Sequence, residues 1–290
     1  MTSEGAAATR APVRPVVLAD LDGTLVHSRR RVPEPDGHLV VEVYEGRDVG
    51  FMTPEAWDLL AQVQARGYLV PATARTIRQF SRIRFPEPPR VAILAGGAIV
   101  WVDGEIDPVW DAEVQGRLDA AGASVVEVAA RLGELPTTEE PRIGDDRFVY
   151  VRVAPEADVT GFTAWCMERG WRVVHQDGRI YCHPEGLSKS SPLPRVAELV
   201  GAEPAIALGD GLMDAELLSA VPVALTPAEG PLWMSGWRQG SSVDGFGPAS
   251  TTLLLAAVLD SIAISDPPSL PPSLPPSPDP PPVGPTKESN

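Results

Sequence analysis

At 290 residues the chain is long enough for roughly two domains, and 43% hydrophobic with 22% charged residues is an ordinary globular composition, although 32 prolines against 6% aromatics point to some length outside a packed core. The longest uncharged apolar run, residues 91–102, is interrupted by glycines and falls far short of the ~20 residues of a membrane-spanning helix, so a transmembrane protein is not expected. With 24 Lys plus Arg against 39 Asp plus Glu, the net charge of −15 repels nucleic acid and anionic membrane, and neither is an expected partner.

In chain order, residues 1–14 read as a disordered start without the apolar centre of a secretory signal. Residues 15–20 (PVVLAD) form a short buried strand. After it, Arg29-Arg30-Arg31 and the alternating run 38–51 read as an extra hairpin, either a lid over substrate or a solvated basic turn on an ordinary strand pair. Thr53 and Pro54 cap and open a helix through Arg66 that Gly67 stops. Residues 68–73 and 91–95 are two further buried strands, and Arg78, Arg82 and Arg84 between them read as a solvated helix face.

From 98 to 186 the rhythm changes to a long helix over 111–132, an alternating strand 147–153, a helix over 155–169, and a hairpin of 171–175 with 179–183 around Gln176-Asp177-Gly178. A helix over 192–200, a strand 205–209, a helix over 214–220 and a strand 221–225 then resume the first pattern. The fold class expected is α/β, a doubly wound, parallel-sheet, Rossmann-like core of residues 15–97 and 187–265 with an inserted α+β cap domain over 98–186. Residues 266–290 read as a disordered Pro-rich tail, solvated or serving as a docking peptide for a proline-binding partner.

Asp20-Leu21-Asp22-Gly23-Thr24 follows the first strand directly, which puts two carboxylates at the carboxyl end of a parallel sheet, where such folds bind ligands. Gly23 permits the sharp turn that lets both acids face one crevice. Paired carboxylates can hold Mg²⁺ and supply a nucleophile. Further along stand Thr73 in PATAR, Lys189 in GLSKSSPL, and Asp210 with Asp214 in GDGLMDAELL.

These four motifs, in this order, resemble those of the haloacid dehalogenase-like (HAD) phosphohydrolases. The 116 positions from Thr73 to Lys189 leave room for the cap, as in the subgroup resembling Cof-type, sucrose-phosphate and trehalose-phosphate phosphatases, and ILAGGAIV at 93–100 is similar to that subgroup too. The resemblance implies a phosphatase acting on a small phosphorylated metabolite. In it Asp20 is the nucleophile and Asp22 the general acid and base, Lys189 and Thr73 hold the phosphoryl group, and Mg²⁺ sits on Asp20, the Asp22 carbonyl and Asp210, with Asp214 orienting Lys189 or a metal-bound water. Gly23, Thr24 and Arg75 join the substrate-binding set. Met213 departs from the Asn of many capped relatives. Asp22 argues against a dehalogenase; a phosphomutase uses much the same motifs, and a non-catalytic phospholigand-binding protein is the other alternative.

In the cap, period-2 alternation puts Val149, Val151, Val153, Ile180 and Cys182 on one face and Tyr150, Arg152, Arg179, Tyr181 and His183 on the other, a polar face expected to meet the leaving group. The remaining histidines, His27, His38 and His175, lack metal-ligand spacing and read as surface or packing residues. Trp233 and Trp237 read as part of a packed loop. Cys166 and Cys182, the only cysteines, read as core thiols, which excludes a disulfide framework and fits a cytoplasmic location.

Overall fold

The computed structural model describes residues 14–176 and 178–265, so the readings of residues 1–13, of Asp177 and of the tail from Asp266 onward lie outside the described residues. Arg14, expected in the loose start, is anchored: its guanidinium donates to the carbonyl of Gly67 at 2.9 Å and stacks on Tyr68.

The core is a five-stranded parallel sheet in the order Ser241–Val243, Val223–Pro227, Pro204–Leu208, Val16–Ala19, Tyr68–Pro71. Val16–Ala19 lies in its interior and is wholly buried, which is why its sequence is an unbroken apolar run. Helix Pro54–Arg66 packs against it, with the Thr53 hydroxyl accepting from the amide of Ala56 as N-cap. Beside that helix lies Pro248–Ser265, which buries Leu254, Leu255, Val258 and Ile262 and was not separated from its surroundings in the sequence. The doubly wound α/β core is as expected.

Four elements differ from the sequence reading, one of them the helix expected over 155–169, which spans only Thr160–Met167. Val91–Leu94 extends the parallel sheet only by the bridge Ala72 to Ile93, then folds back antiparallel onto Ile99–Val102 and Glu105–Ile106. The reversal is made at Ala95–Gly97, three residues with positive φ (52°, 65° and 105°). At Gly97 a Cβ would stand 1.9 Å from the carbonyl oxygen of Ser188, so only glycine lets this turn and the segment carrying Lys189 lie together. The long helix expected over 111–132 is two helices, Pro108–Ala120 and Val125–Leu132, because Ser124 and Glu127 form a capping box that starts a new helix. The helix expected over 214–220 is a 3₁₀ turn, Leu212–Asp214, followed by Ala215–Ser219.

The inserted segment builds a four-stranded antiparallel sheet ordered Trp171–Gln176, Arg179–Pro184, Phe148–Arg152, Arg142–Gly144. Val149, Val151, Ile180 and Cys182 bury themselves with Val128, Leu132, Phe162, Cys166 and Trp171 in a second hydrophobic cluster. The opposite face turns toward the core: Phe148 stacks on His183 (5.1 Å) and Tyr150 on Tyr181 (6.1 Å), and Phe148 belongs to the cluster of the core sheet. Ile99, Val100, Trp110 and Val114 also bury themselves with the core, and the Trp110 indole donates to the Gly97 carbonyl at 2.9 Å. Asp107, N-cap of Pro108–Ala120, takes a bidentate pair from Arg195 of the helix Leu193–Val200. No helix among the described residues is long and apolar enough to cross a membrane.

His183 is enclosed between Phe148 and Gly96, with both ring nitrogens buried and lacking partners among the described residues. Burial, with Arg172 adding to it, pushes its pKa from the ordinary 6.5 down to about 3. The unfolded chain therefore binds a proton that the native state refuses between these values, and stability is lost as pH falls through that window, by at most about 1.4 kcal/mol per pH unit. His183→Phe, which keeps the ring stack, is expected to raise Tm, with a gain that grows as pH falls from 6.5. A gain independent of pH in thermal melts would show that the imidazole is not held neutral.

Candidate active site

The strand Val16–Ala19 delivers Asp20 to the carboxyl edge of the sheet, where its amide still bonds to the Leu208 carbonyl of the neighbouring strand at 2.9 Å. That neighbour delivers Asp210. The two loops meet at Gly23 (φ 93°), where a Cβ would lie 2.5 Å from the Asp210 carboxylate. Thr24 donates from its hydroxyl to Asp210 Oδ1 at 3.0 Å and sits 3.5 Å from Asp20 Oδ2. Lys189, 2% exposed, enters from the segment after the cap sheet and donates to Asp20 Oδ1 and Asp214 Oδ1, both at 2.6 Å. Asp214 also accepts from the Gly211 amide through Oδ2 at 2.9 Å.

Oxygen atoms of Asp20, Asp210 and Asp214 lie within 4.8 Å of one another, all buried. Three buried carboxylates against one buried ammonium, with Arg31 reaching Asp210 only at 4.0 Å, leave this pocket short of positive charge. Burial accordingly pushes the Asp20 carboxyl well above its usual range in spite of Lys189, while burial and then Asp214 raise Asp210 to about 7. For Lys189 burial works the other way, but Asp20 and Asp214 override it and keep the ammonium charged. A cluster of hard oxygen donors with excess negative charge fits Mg²⁺.

Asp22 stands apart. Its side chain is 58% exposed, and Arg75 grips it with Nε at 2.8 Å and Nη2 at 2.7 Å. Enclosure would raise its pKa, but the Arg75 charge and hydrogen bonds outweigh this and hold it below the ordinary value. Arg75 is itself held by Glu42, 3% exposed on strand Leu39–Tyr44, at 2.9 Å. Glu42 also takes Arg82 at 2.8 Å, so Arg82 belongs to a buried ion network and not to a solvated face. Thr73 is buried beside this network, its hydroxyl accepting from the Arg75 amide at 3.2 Å.

The sequence missed Glu42; a lone acid between Val41 and Val43 in an alternating strand was its only signal. Arg31, expected in a lid or a solvated basic turn, stands 4.0 Å from Asp210 and stacks on Phe246, and Thr251, which the sequence missed, donates from its hydroxyl to the Thr24 carbonyl at 2.6 Å. With that proton committed, the 2.7 Å contact of Thr251 with His27 Nε2 has the imidazole as donor, and burial followed by Arg31 holds this ring neutral with a pKa of about 4.

The cap closes over the crevice at Gln176, whose Oε1 accepts from the Met213 amide at 3.0 Å, and at Arg172, 2.6 Å from Glu216. Gln79 reaches the Tyr150 hydroxyl at 3.4 Å. Arg152 and Arg179 face each other across the strands, and the Arg179 charge contributes to lowering Asp22. His183 lies against Gly96, away from these groups.

No family model and no curated protein matches this sequence. Solved structures do. The sucrose-phosphatase of Synechocystis sp. PCC6803, in complex with sucrose and phosphate, superposes with a TM-score of 0.62 at 13% identity, over 87% of this chain and 98% of that one. A sugar phosphatase of HAD subclass IIB gives 0.57 at 12% identity, over 86% and 99%. A phosphatase of the HAD superfamily from Bacteroides thetaiotaomicron gives 0.54 at 16% identity, over 90% and 100%. The chain has the capped HAD fold.

Without added metal, native Asp210 holds its proton up to about pH 7 whereas the unfolded chain releases it near 3.8, so its contribution to stability falls as pH rises between them. In melts with chelator, Asp210→Asn is therefore expected to gain in Tm over the unsubstituted protein as pH rises from 5 to 8, and Mg²⁺ should raise Tm only where Asp210 is present. Parallel Tm curves and an equal response to Mg²⁺ would refute the charge argument.

Proposed function

We propose that the protein is a Mg²⁺-dependent phosphatase that hydrolyses a small phosphomonoester through an aspartyl-phosphate on Asp20. The observation that carries this reading is the pairing of a buried Asp20, pinned by Lys189, with an exposed Asp22 two residues on at the mouth of the crevice. A nucleophile needs a fixed position, and a group that exchanges protons with substrate and water needs access to both.

The Asp20 carboxylate attacks phosphorus and the bond to the leaving oxygen breaks, with Asp22 giving that oxygen a proton. Water then attacks the phosphorylated Asp20, Asp22 takes its proton, and phosphate departs with Asp20 restored. Held by Arg75, Asp22 is ionised, the form the second step needs; the first step requires Arg75 to loosen its grip as the phosphate enters. Lys189 and Thr73 donate to the phosphoryl oxygens. Asp20, Asp210, Asp214 and the Asp22 carbonyl would hold Mg²⁺, whose charge offsets that of the phosphoryl oxygens. The Thr24 hydroxyl, committed to Asp210, supports this set more than the substrate. Tyr150, Arg152, Arg179 and Tyr181 are left to meet the leaving group. The two free, buried thiols fit a reducing cytoplasm.

Phosphate release from a panel of sugar phosphates and nucleotides, with and without Mg²⁺, tests the reading. Asp20→Asn should abolish turnover and take up no label from phosphorylated substrate; a labelled Asn variant would sink the assignment. Asp22→Ala should slow alkyl esters by about 10²-fold and aryl esters, which need less protonation, by less. Glu42→Gln should show the same split in milder form because Arg75, relieved of one of its two anionic partners, is left more fully to Asp22 and opposes its protonation. Arg82→Met, which removes the other partner of Glu42, should lower Tm without that split. Equal losses on both ester types in the Glu42 variant would reduce it to a structural residue.

A further inference from the structure

The strand Trp171–Gln176 lies at an edge of the cap sheet and packs against the turn Leu212–Asp214 of the core. Two of its side chains reach this part of the core. Arg172 pairs with Glu216 at 2.6 Å, but with side chains 38% and 48% exposed that ion pair contributes little. Gln176 is placed differently. Its Oε1 accepts from the Met213 amide at 3.0 Å, and its carboxamide lies so close over Gly211 that a Cβ there would stand 2.5 Å from Nε2 and 2.7 Å from Oε1. The backbone of Gly211 (φ −104°, ψ 166°) is extended and open to any residue, so a side chain there would not strain the turn; it would displace the Gln176 carboxamide. The Met213 amide in turn stands in the opening of a 3₁₀ helix, where N–H groups lack a partner inside the helix, and its acceptor comes from the cap.

The same turn carries two of the three clustered carboxylates. Asp210 enters it and Asp214 ends it, and Asp214 is itself tied to the turn by the Gly211 amide, which donates to Oδ2 at 2.9 Å. Gly211 and Met213, the two residues that Gln176 touches, are the chain neighbours of these two acids. Holding them fixes the peptide groups from which both carboxylates extend. We infer that Gln176 is a positioning residue of the metal site: reaching in from the cap, it sets the placement of Asp210 and Asp214, and through them the affinity for Mg²⁺, acting on the turn and not as a ligand. Groups that orient metal ligands from outside are worth about 10–100-fold in affinity. The inference rests on the phosphatase reading only for what the bound ion then does. Across its hairpin Gln176 is paired with Arg179, whose charge reaches Asp22, so the end of one hairpin bears on both the metal side and the proton-transfer side of the crevice.

Calorimetric titration with MgCl₂ in the absence of substrate tests this. Gln176→Met keeps the length of the side chain and removes the acceptor, and it should raise the Kd for Mg²⁺ about ten-fold. Gly211→Ala, whose Cβ displaces the same carboxamide, should raise it alike, and the double variant should bind no more weakly than either single one, because both changes remove one contact. Arg172→Gln, which breaks the exposed pair on the same strand, should leave the Kd nearly unchanged. Thermal melts separate position from stability: in chelator the Tm of Gln176→Met should fall no further than that of Arg172→Gln, whereas the rise in Tm on adding Mg²⁺ should shrink only in Gln176→Met. An unchanged Kd in Gln176→Met, losses that add in the double variant, or an equal loss in Arg172→Gln would overturn the role of Gln176. Failure of the unsubstituted protein to take up Mg²⁺ would overturn it together with the Mg²⁺-dependent reading. Mg²⁺ uptake that responds to Gln176 in a protein that releases phosphate from no ester would remove the phosphatase reading alone.

Discussion

Everything at the edge of the sheet depends on one buried ammonium. Lys189 bonds at 2.6 Å to two carboxylates that come from different loops, Asp20 after the first strand and Asp214 in the turn after the fourth motif begins. A buried ion pair is a poor source of net stability, since removing the charges from water offsets most of the attraction. What it provides is position. Neither carboxylate can shift without stranding the ammonium, and the ammonium cannot leave without exposing two carboxylates to each other. The surplus negative charge that remains is the reason the cluster suits a divalent cation.

A second network of charges governs the exposed acid. Asp22 is gripped by Arg75, Arg75 by Glu42, and Glu42 by Arg82 as well. The hairpin that carries Glu42 is thereby coupled to the crevice through Arg75. His27, Thr251 and the Thr24 carbonyl make a third line of support, running from the C-terminal helix to the loop after the first strand. Asp20 and its neighbours are thus braced from the hairpin side, from the helix side and from the segment after the cap.

The parts legible in the sequence were those in which neighbours in the chain share one job. DLDGT behind an apolar strand, Lys189 in its loop and Asp210 with Asp214 all announce themselves locally, and so do the alternating cap strands. The parts that were not legible depend on distant partners. Glu42 has a meaning only once Arg75 and Arg82 are beside it, and Thr251 only once Thr24 is. The break in the cap helix is hidden for a different reason: apolar residues continue across the Ser124–Glu127 capping box, so periodicity alone runs the two helices together. His183 shared its strand face with Arg179 and Tyr181, yet its place along the strand brings it against the Ala95–Gly97 turn, and alternation says nothing about distance along a face.

That turn bears on how the cap is joined to the core. Gly97 at the entry to the inserted segment lies against the Ser188 carbonyl at its exit, and Trp110 and the Asp107–Arg195 pair fasten the same end to the core. The far end is held by polar contacts, Gln176 to the Met213 amide and Arg172 to Glu216. Entry and exit of the inserted segment are thus packed together at one point beside Lys189, so the ammonium is tied to the apolar end of the cap and not to its polar end.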